Sequence, residues 1–175
     1  STRQMGQMIE GILALSRLNR QKMDFQSIPT LNILEPIISE YRSRTPERQI
    51  DFKVGTLPDS WGDPALLRTL WSNLIDNAVK FTRPRSNPVV EVEGSAEGSE
   101  TIFFIRDNGV GFDMKYQSKL FGLFQRFHTE KEFEGSGVGL AVARRLVRRH
   151  GGRIWAESEV DKGTTLYFSL PHSPN

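Results

Sequence analysis

The chain contains no cysteine. Disulfides and thiolate-bound metals are thereby excluded, and the composition fits a reducing, cytoplasmic compartment. Histidine is scarce, with three in all. His128 falls in a polar loop, His150 at a helix end and His172 in the tail. None has the spacing of a metal ligand, and no Ser/His/Asp arrangement is apparent. There is no run of about 18 apolar residues to span a membrane, and no stretch reads as a signal peptide. Net charge is also small, +2 from 23 basic and 21 acidic residues. The basic residues cluster locally at Arg144, Arg145, Arg148 and Arg149. On a helix that cluster reads as a solvated face, which does not indicate a nucleic-acid partner. What is present suits an ordinary globular domain: 175 residues, 37% hydrophobic and 25% charged, enough for one good core.

Residues 1–23 are predicted to be helical. Met5, Met8, Ile9, Ile12, Leu13, Leu15 and Leu18 recur at helical spacing with polar residues between them. No capping residue precedes the pattern, so the chain is expected to be part of a larger protein. The apolar stripe calls for a partner helix in a hairpin or coiled coil; the alternative is a helix folded back on its own domain. A strand is expected at 25–31, a helix at 33–44 and a strand at 49–54, with Thr45-Pro46 and Leu57-Pro58 as punctuation. Asp63-Pro64 is a strong helix start, with Asp as N-cap and Pro at the first helical position, and the helix should run to about residue 81. A loop with two prolines spans 82–88, and a hairpin joins 89–93 to 101–106. A short helix is expected at 115–123 and an irregular polar loop at 124–134. A helix at 138–150 should end at Gly151-Gly152, followed by strands at 153–158 and 165–170 turned at Asp161-Lys162-Gly163. The expected class is α/β, as a largely antiparallel sheet with helices on one face.

Three segments carry chemistry. In the helix from Asp63, Leu66, Leu67, Leu70, Leu74, Ala78 and Val79 supply a core face, while Asn73 and Asn77 share a stripe beside it. Asparagine is a mediocre helix former, so two at this spacing call for a use. An amide oxygen is a good ligand for Mg²⁺, and Lys80, a turn further on, could meet phosphate as a point charge. The alternative is a pair of solvated asparagines. Next, DNGVGFD at 107–113 follows the apolar strand residues Ile102, Phe103, Phe104 and Ile105. A carboxylate at a strand end can accept a hydrogen bond from an exocyclic amine such as that of adenine. Gly109 and Gly111 would let the backbone approach a flat ring, although taken alone the string is also common turn chemistry. Third, GSGVGL at 135–140 leads into a helix, where backbone N–H groups and the helix dipole attract an anion. The dinucleotide fingerprint fails because Leu140 stands where glycine is needed and no strand precedes it. A P-loop would need Gly-Lys-Ser/Thr, and a protein-kinase glycine loop would need its companion motifs; neither is present.

Residues 73–82 resemble the N box of sensor histidine kinases. The stretch 107–113 resembles their first glycine box, FGLFQRF at 121–127 their F box, and 135–140 their second glycine box, in the family's order and spacing. HGGRIWAES at 150–158 and KGTTLYFSLP at 162–171 are similar to the strands that close the same domain, and the lid wording is similar to phytochrome-like kinases. The resemblance covers about residues 25–171. It implies a two-layer α+β sandwich, with a mixed, largely antiparallel sheet under three helices and ATP beneath a lid. By motif position Asn77 would hold Mg²⁺, and Asp107 would bind the adenine amine. Gly109, Gly111 and Phe112 would pack by the base, and Phe81 would also belong to the nucleotide site. Lys80 and Arg126 would approach the phosphates, which Gly135, Ser136, Gly137, Val138, Gly139 and Leu140 would wrap, and Thr164 matches a weaker third glycine-box position. Gyrase-type hydrolases of this superfamily carry a glutamate base where this chain has Asn73. An amide is no useful base near neutral pH, so Asn73 is expected to favour transfer to a protein histidine over hydrolysis of ATP.

The expected organisation is a remnant of the second dimerisation helix at 1–23, the ATP-binding catalytic domain at 24–171 and a tail at 172–175. No histidine here has the context of the family's phosphoacceptor box, so the acceptor is expected on an upstream helix outside the chain. Implied partners are the protein's own dimerisation and phosphotransfer helices, a second copy in a homodimer and a response regulator. Two rival readings are a pseudokinase of the same fold and a gyrase-like ATPase or chaperone module. The intact Asn77, Asp107 and glycines argue against the first, and Asn73 with the kinase-like lid against the second.

Overall fold

The computed structural model describes residues 2–122 and 139–172. In chain order the elements are α1 (Thr2–Arg20), β1 (Gln26–Ile28), α2 (Thr30–Arg44), β2 (Asp51–Val54), β3 (Ser60–Gly62), α3 (Pro64–Phe81), β4 (Val89–Glu97), β5 (Glu100–Asp107), a short 3-10 helix (Met114–Lys119), α4 (Gly139–Arg149), β6 (Ile154–Glu159) and β7 (Gly163–Pro171). The main sheet has the order β2-β4-β5-β7-β6. Its β2/β4 pair is parallel and the other three are antiparallel. A separate two-stranded ribbon pairs β1 with β3. This is the mixed, largely antiparallel α+β sandwich the sequence implied.

The strands alternate sides, so β5 sends Phe103, Ile105 and Asp107 to one face and Phe104 and Arg106 to the other. The inner face meets α3, which buries Leu66, Leu67, Leu70, Trp71, Leu74, Ile75, Ala78 and Val79. Trp71 sits edge-on to Phe103 and Phe168, with centroids 5.6 and 5.0 Å away. Each such side chain contributes roughly 1.5–3 kcal/mol of burial. The outer face carries a row of half-buried rings. Trp155 stacks on Tyr167 at 5.3 Å, and the guanidinium carbons of Arg153 and Arg106 lie 4.3 and 4.8 Å from the centroids of Trp155 and Phe104.

Asp63 starts α3 as expected. One carboxylate oxygen accepts from Leu66 N at 3.0 Å, and the other accepts from Asp24 N at 2.9 Å, tying the segment after α1 to α3. Several boundaries differ from expectation for tertiary reasons. The first strand is only Gln26–Ile28, and α2 begins at Thr30 rather than 33. Thr30 is buried, with its hydroxyl donating to Pro58 O at 2.7 Å and lying 2.6 Å from Ser60 Oγ, so the helix start is set by the β3 segment. That strand carries no sequence pattern of its own and exists because β1 pairs with it. The helix expected at 115–123 is the 3-10 turn Met114–Lys119, started by Asp113, whose carboxylate accepts from Lys115 N.

The arginine cluster of α4 is not wholly solvated, contrary to expectation. Arg145 Nε donates to Asn19 Oδ1 at 2.6 Å. Arg149 donates to the carbonyls of Leu18 and Gln21, capping the C-terminal end of α1 with positive charge. Leu18 is buried there, while Met5, Ile9, Ile12 and Leu13 further up α1 stay exposed. His150 closes α4 as a structural residue. It is buried, its Nδ1 lies 2.7 Å from Leu146 O, and its Nε2 accepts from Asp63 N at 3.2 Å. Burial depresses its pKa and keeps the ring neutral.

Candidate functional site

The end of β5 delivers Asp107 to the inner face beside the C-terminal turn of α3. Its carboxylate is buried, and Oδ1 accepts two backbone N–H groups, from Gly109 at 2.9 Å and Thr164 at 3.3 Å. No described group bonds to Oδ2. Desolvation pushes the carboxyl pKa up to about 6, and the two N–H groups and Arg85 oppose that rise.

The glycines of this loop are demanded by packing within the protein. A Cβ on Gly109 would stand 2.3 Å from Phe81 O, where the loop crosses the end of α3, and Val110 N donates to the same carbonyl at 3.1 Å. Gly111 adopts φ +65°, and a Cβ there would lie 2.0 Å from Glu159 O. Gly163, at φ +115°, closes on Asp107 O in the same way. The glycine loop, the last turn of α3 and the β6–β7 turn are thus locked together around Asp107. Phe112 is buried and donates its N–H to Ser158 Oγ at 2.9 Å; that hydroxyl lies 2.8 Å from Thr164 Oγ1.

On α3, Asn73, Asp76, Asn77 and Lys80 fall at i, i+3, i+4 and i+7, all half-buried on one stripe. Lys80 Nζ is paired with Asp76 at 2.9 Å, and Tyr41 from α2 donates to the other oxygen of Asp76 at 2.8 Å. Burial, then the Asp76 charge, raises the Tyr41 pKa, so it stays a neutral donor. Asn73 and Asn77 have no hydrogen-bond partner among the described residues, unlike most half-buried amides. Arg48 holds the end of the helix, donating to Val79 O at 3.0 Å and to Thr82 Oγ1 at 3.3 Å.

Phe81 is half-buried at the end of α3. Gly139 opens α4; a Cβ there would meet nothing within 4 Å among the described residues, so packing against them does not demand this glycine. Leu140 packs partly against the core. Arg126, Gly135, Ser136, Gly137 and Val138 lie outside the described residues, as does most of the F box. Sequence reasoning missed Tyr41, Asp76 and Arg85, because their importance comes from partners far along the chain. Among the described residues no cluster of His, Cys, Asp or Glu could hold a metal alone, and no helix is long and apolar enough to cross a membrane.

Residues 62–174 match the family described as histidine kinase-, DNA gyrase B- and HSP90-like ATPase. Over 167 residues the chain is 34% identical to cyanobacterial phytochrome A of Nostoc sp., covering 95% of this chain and 22% of that protein. Over 171 residues it is 38% identical to the methanogenesis regulatory histidine kinase FilI of Methanothrix harundinacea, covering 95% and 19%. The chain therefore spans about a fifth of the length of these relatives. The mycobacterial sensor histidine kinase MprB superposes with a TM-score of 0.74 at 25% identity, covering 87% of this chain and all of that one. Full-length ShkA in complex with AMPPNP gives 0.78 at 25% identity, covering 94% and 35%. With its boxes in order along the chain, the protein belongs to the histidine kinase-, DNA gyrase B- and HSP90-like ATPase family, and its fold is similar to the catalytic domains of sensor histidine kinases.

Proposed function

We propose that this domain binds Mg-ATP between α3 and the glycine loop and transfers the γ-phosphoryl group to a histidine on a helix outside residues 1–175, for relay to a response-regulator aspartate. The observation that carries this reading is the state of Asp107: a buried carboxylate with one oxygen satisfied by two N–H groups and the other without a described partner. Such a group is built to accept one further donor, and the adenine amine is of that kind. Asn73 and Asn77, without a partner among the described residues, support a ligand over α3. Asn77 is assigned to Mg²⁺, which bound there with the phosphates would neutralise their charge.

Lys80 would turn from Asp76 to a phosphate, and Phe81, Gly109, Gly111 and Phe112 would border the base, with Thr164 bonded to the carboxylate behind it. Arg126 and the loop residues Gly135, Ser136, Gly137, Val138, Gly139 and Leu140 are assigned to the phosphates. With Asn73 in place of a carboxylate base, catalysis is positioning and charge neutralisation rather than activation of water. The exposed stripe of α1 suits a partner helix of a dimeric hairpin. A regulator partner accords with one solved relative, the histidine kinase ThkA in complex with the response regulator protein TrrA, whose likeness at 17% identity speaks for the fold alone. A cytoplasmic setting follows from the same reading.

Calorimetric titration of Mg-ATP into residues 1–175 and into Asp107→Asn tests the proposal. Saturable binding to the first and loss in the second is expected, with no phosphohistidine formed by the chain alone. Absence of binding to both would overturn it and bring the pseudokinase reading forward.

A further inference from the structure

Arg85 lies in the loop after α3, which reads from sequence only as a loop with two prolines. Its Nε donates to Asn108 O at 2.8 Å, and its Nη2 donates to Gly109 O at 2.8 Å and to Asp161 O at 2.9 Å. The first two carbonyls belong to the loop that carries Asp107. The third belongs to the β6–β7 turn, three residues before Thr164, whose N–H bonds to the Asp107 carboxylate. Asp161 N donates in turn to Val110 O at 2.8 Å, so the two segments touch directly as well. Asp161 itself stands at φ +66° without being glycine, a conformation that needs support from its surroundings. The ion pair between Arg85 and the Asp161 carboxylate is long, 3.8 Å, and its acid is 83% exposed, so the backbone carbonyls are the contacts that matter.

We propose that Arg85 is a positioning residue for the base-reading site: one guanidinium clamps the loop after β5 to the β6–β7 turn, so that Asp107 is aimed before the nucleotide arrives. The chemistry requires arginine. Its donors lie in a rigid plane and reach three carbonyls from two sides, whereas an ammonium is a compact charge on a flexible stem. The proposal rests on the nucleotide reading above and adds to it a residue outside the four sequence boxes. Arg85 makes no hydrogen bond to Asp107; besides its charge, which favours the ionised carboxylate, it acts through the backbone on either side of that group.

The test is calorimetric titration of Mg-ATP and of Mg-GTP into the unaltered chain, Arg85→Lys, Arg85→Ala and the control Arg106→Lys on the open face of the sheet, with thermal midpoints measured alongside. Arg85→Lys is expected to weaken ATP binding about tenfold and to narrow the preference for ATP over GTP, while melting close to the unaltered chain. Arg85→Ala should go further in the same direction, and Arg106→Lys should change neither quantity. A merely structural role would lower the melting point and leave the base preference of the folded protein intact. If Arg85→Lys keeps the original ATP affinity and base preference, the proposal is wrong while the nucleotide site stands. If the unaltered chain binds no Mg-ATP, the nucleotide reading fails and this proposal with it.

Discussion

The two ends of the site are built on different principles. Around Asp107 nearly everything is backbone: two N–H groups on one carboxylate oxygen, positive-φ glycines at 111 and 163, and carbonyls gathered by Arg85. Along α3 the proposed phosphate contacts are side chains, half-buried, with Asn73 and Asn77 unpartnered among the described residues and Lys80 parked on Asp76. A base is flat and always the same, so its reader can be fixed in advance at little entropic cost on binding. On the proposed reading, phosphates and Mg²⁺ would be gripped and released within each turnover, which suits side chains over fixed backbone.

That contrast can be broken or sharpened by experiment. The largest effect is expected from Asp107→Asn, which should weaken ATP binding about 100-fold because an amide offers the base amine a poorer acceptor and a repelling donor. Calorimetry would show it, and near-normal affinity would end the idea of a preset base reader. Next come Gly111→Ala and Gly163→Ala, each forcing a Cβ to 2.0 Å from a carbonyl oxygen at positive φ. Urea unfolding should reveal losses of about 1–3 kcal/mol or more. Asn77→Ala is the opposing arm. It should leave stability unchanged or raise it by up to ~0.7 kcal/mol, since alanine is the better helix former, while removing the gain in ATP affinity that Mg²⁺ confers.

A further prediction concerns pH. Asp107 titrates near 6 in the folded chain, above its ordinary 3.8, so the folded chain keeps a proton that the unfolded chain has released. Its contribution to stability therefore falls as pH rises from 3.8 to about 6 and is level beyond. ATP affinity runs the other way, weakening below about pH 6 as the acceptor is protonated; titrations across that range should find the acid limb missing in Asp107→Asn. The smallest effect is Tyr41→Phe, which removes one hydrogen bond to Asp76 and should cost about 1 kcal/mol in thermal denaturation.

Much of this molecule is legible along the chain because its signals are local. Asp63-Pro64 marks a helix start through bonds that reach three residues, and the apolar spacing of α3 names its buried face without reference to the sheet. The boxes are legible for the same reason: short strings whose residue types and order suffice to name the family. A positive φ at these glycines was legible, and Gly111 adopts one; what was not legible is that the atoms a side chain would strike at Gly109 and Gly111 belong to Phe81 and Glu159. The arginines of α4 read as a solvent face, yet Arg149 caps α1 and Arg145 bonds to the Asn19 side chain on it, more than a hundred residues away in sequence.

The sequence by itself determined the class of fold, the order of its helices and main strands and the buried face of α3, because periodicity, capping and motif spacing act over a few residues. The tertiary structure alone decided that β3 is a strand, that Arg85 joins the two segments flanking Asp107, and that Asp107 is buried enough to titrate near 6. Each of these depends on groups that only the closed chain brings within hydrogen-bond reach, and on the exclusion of water that follows.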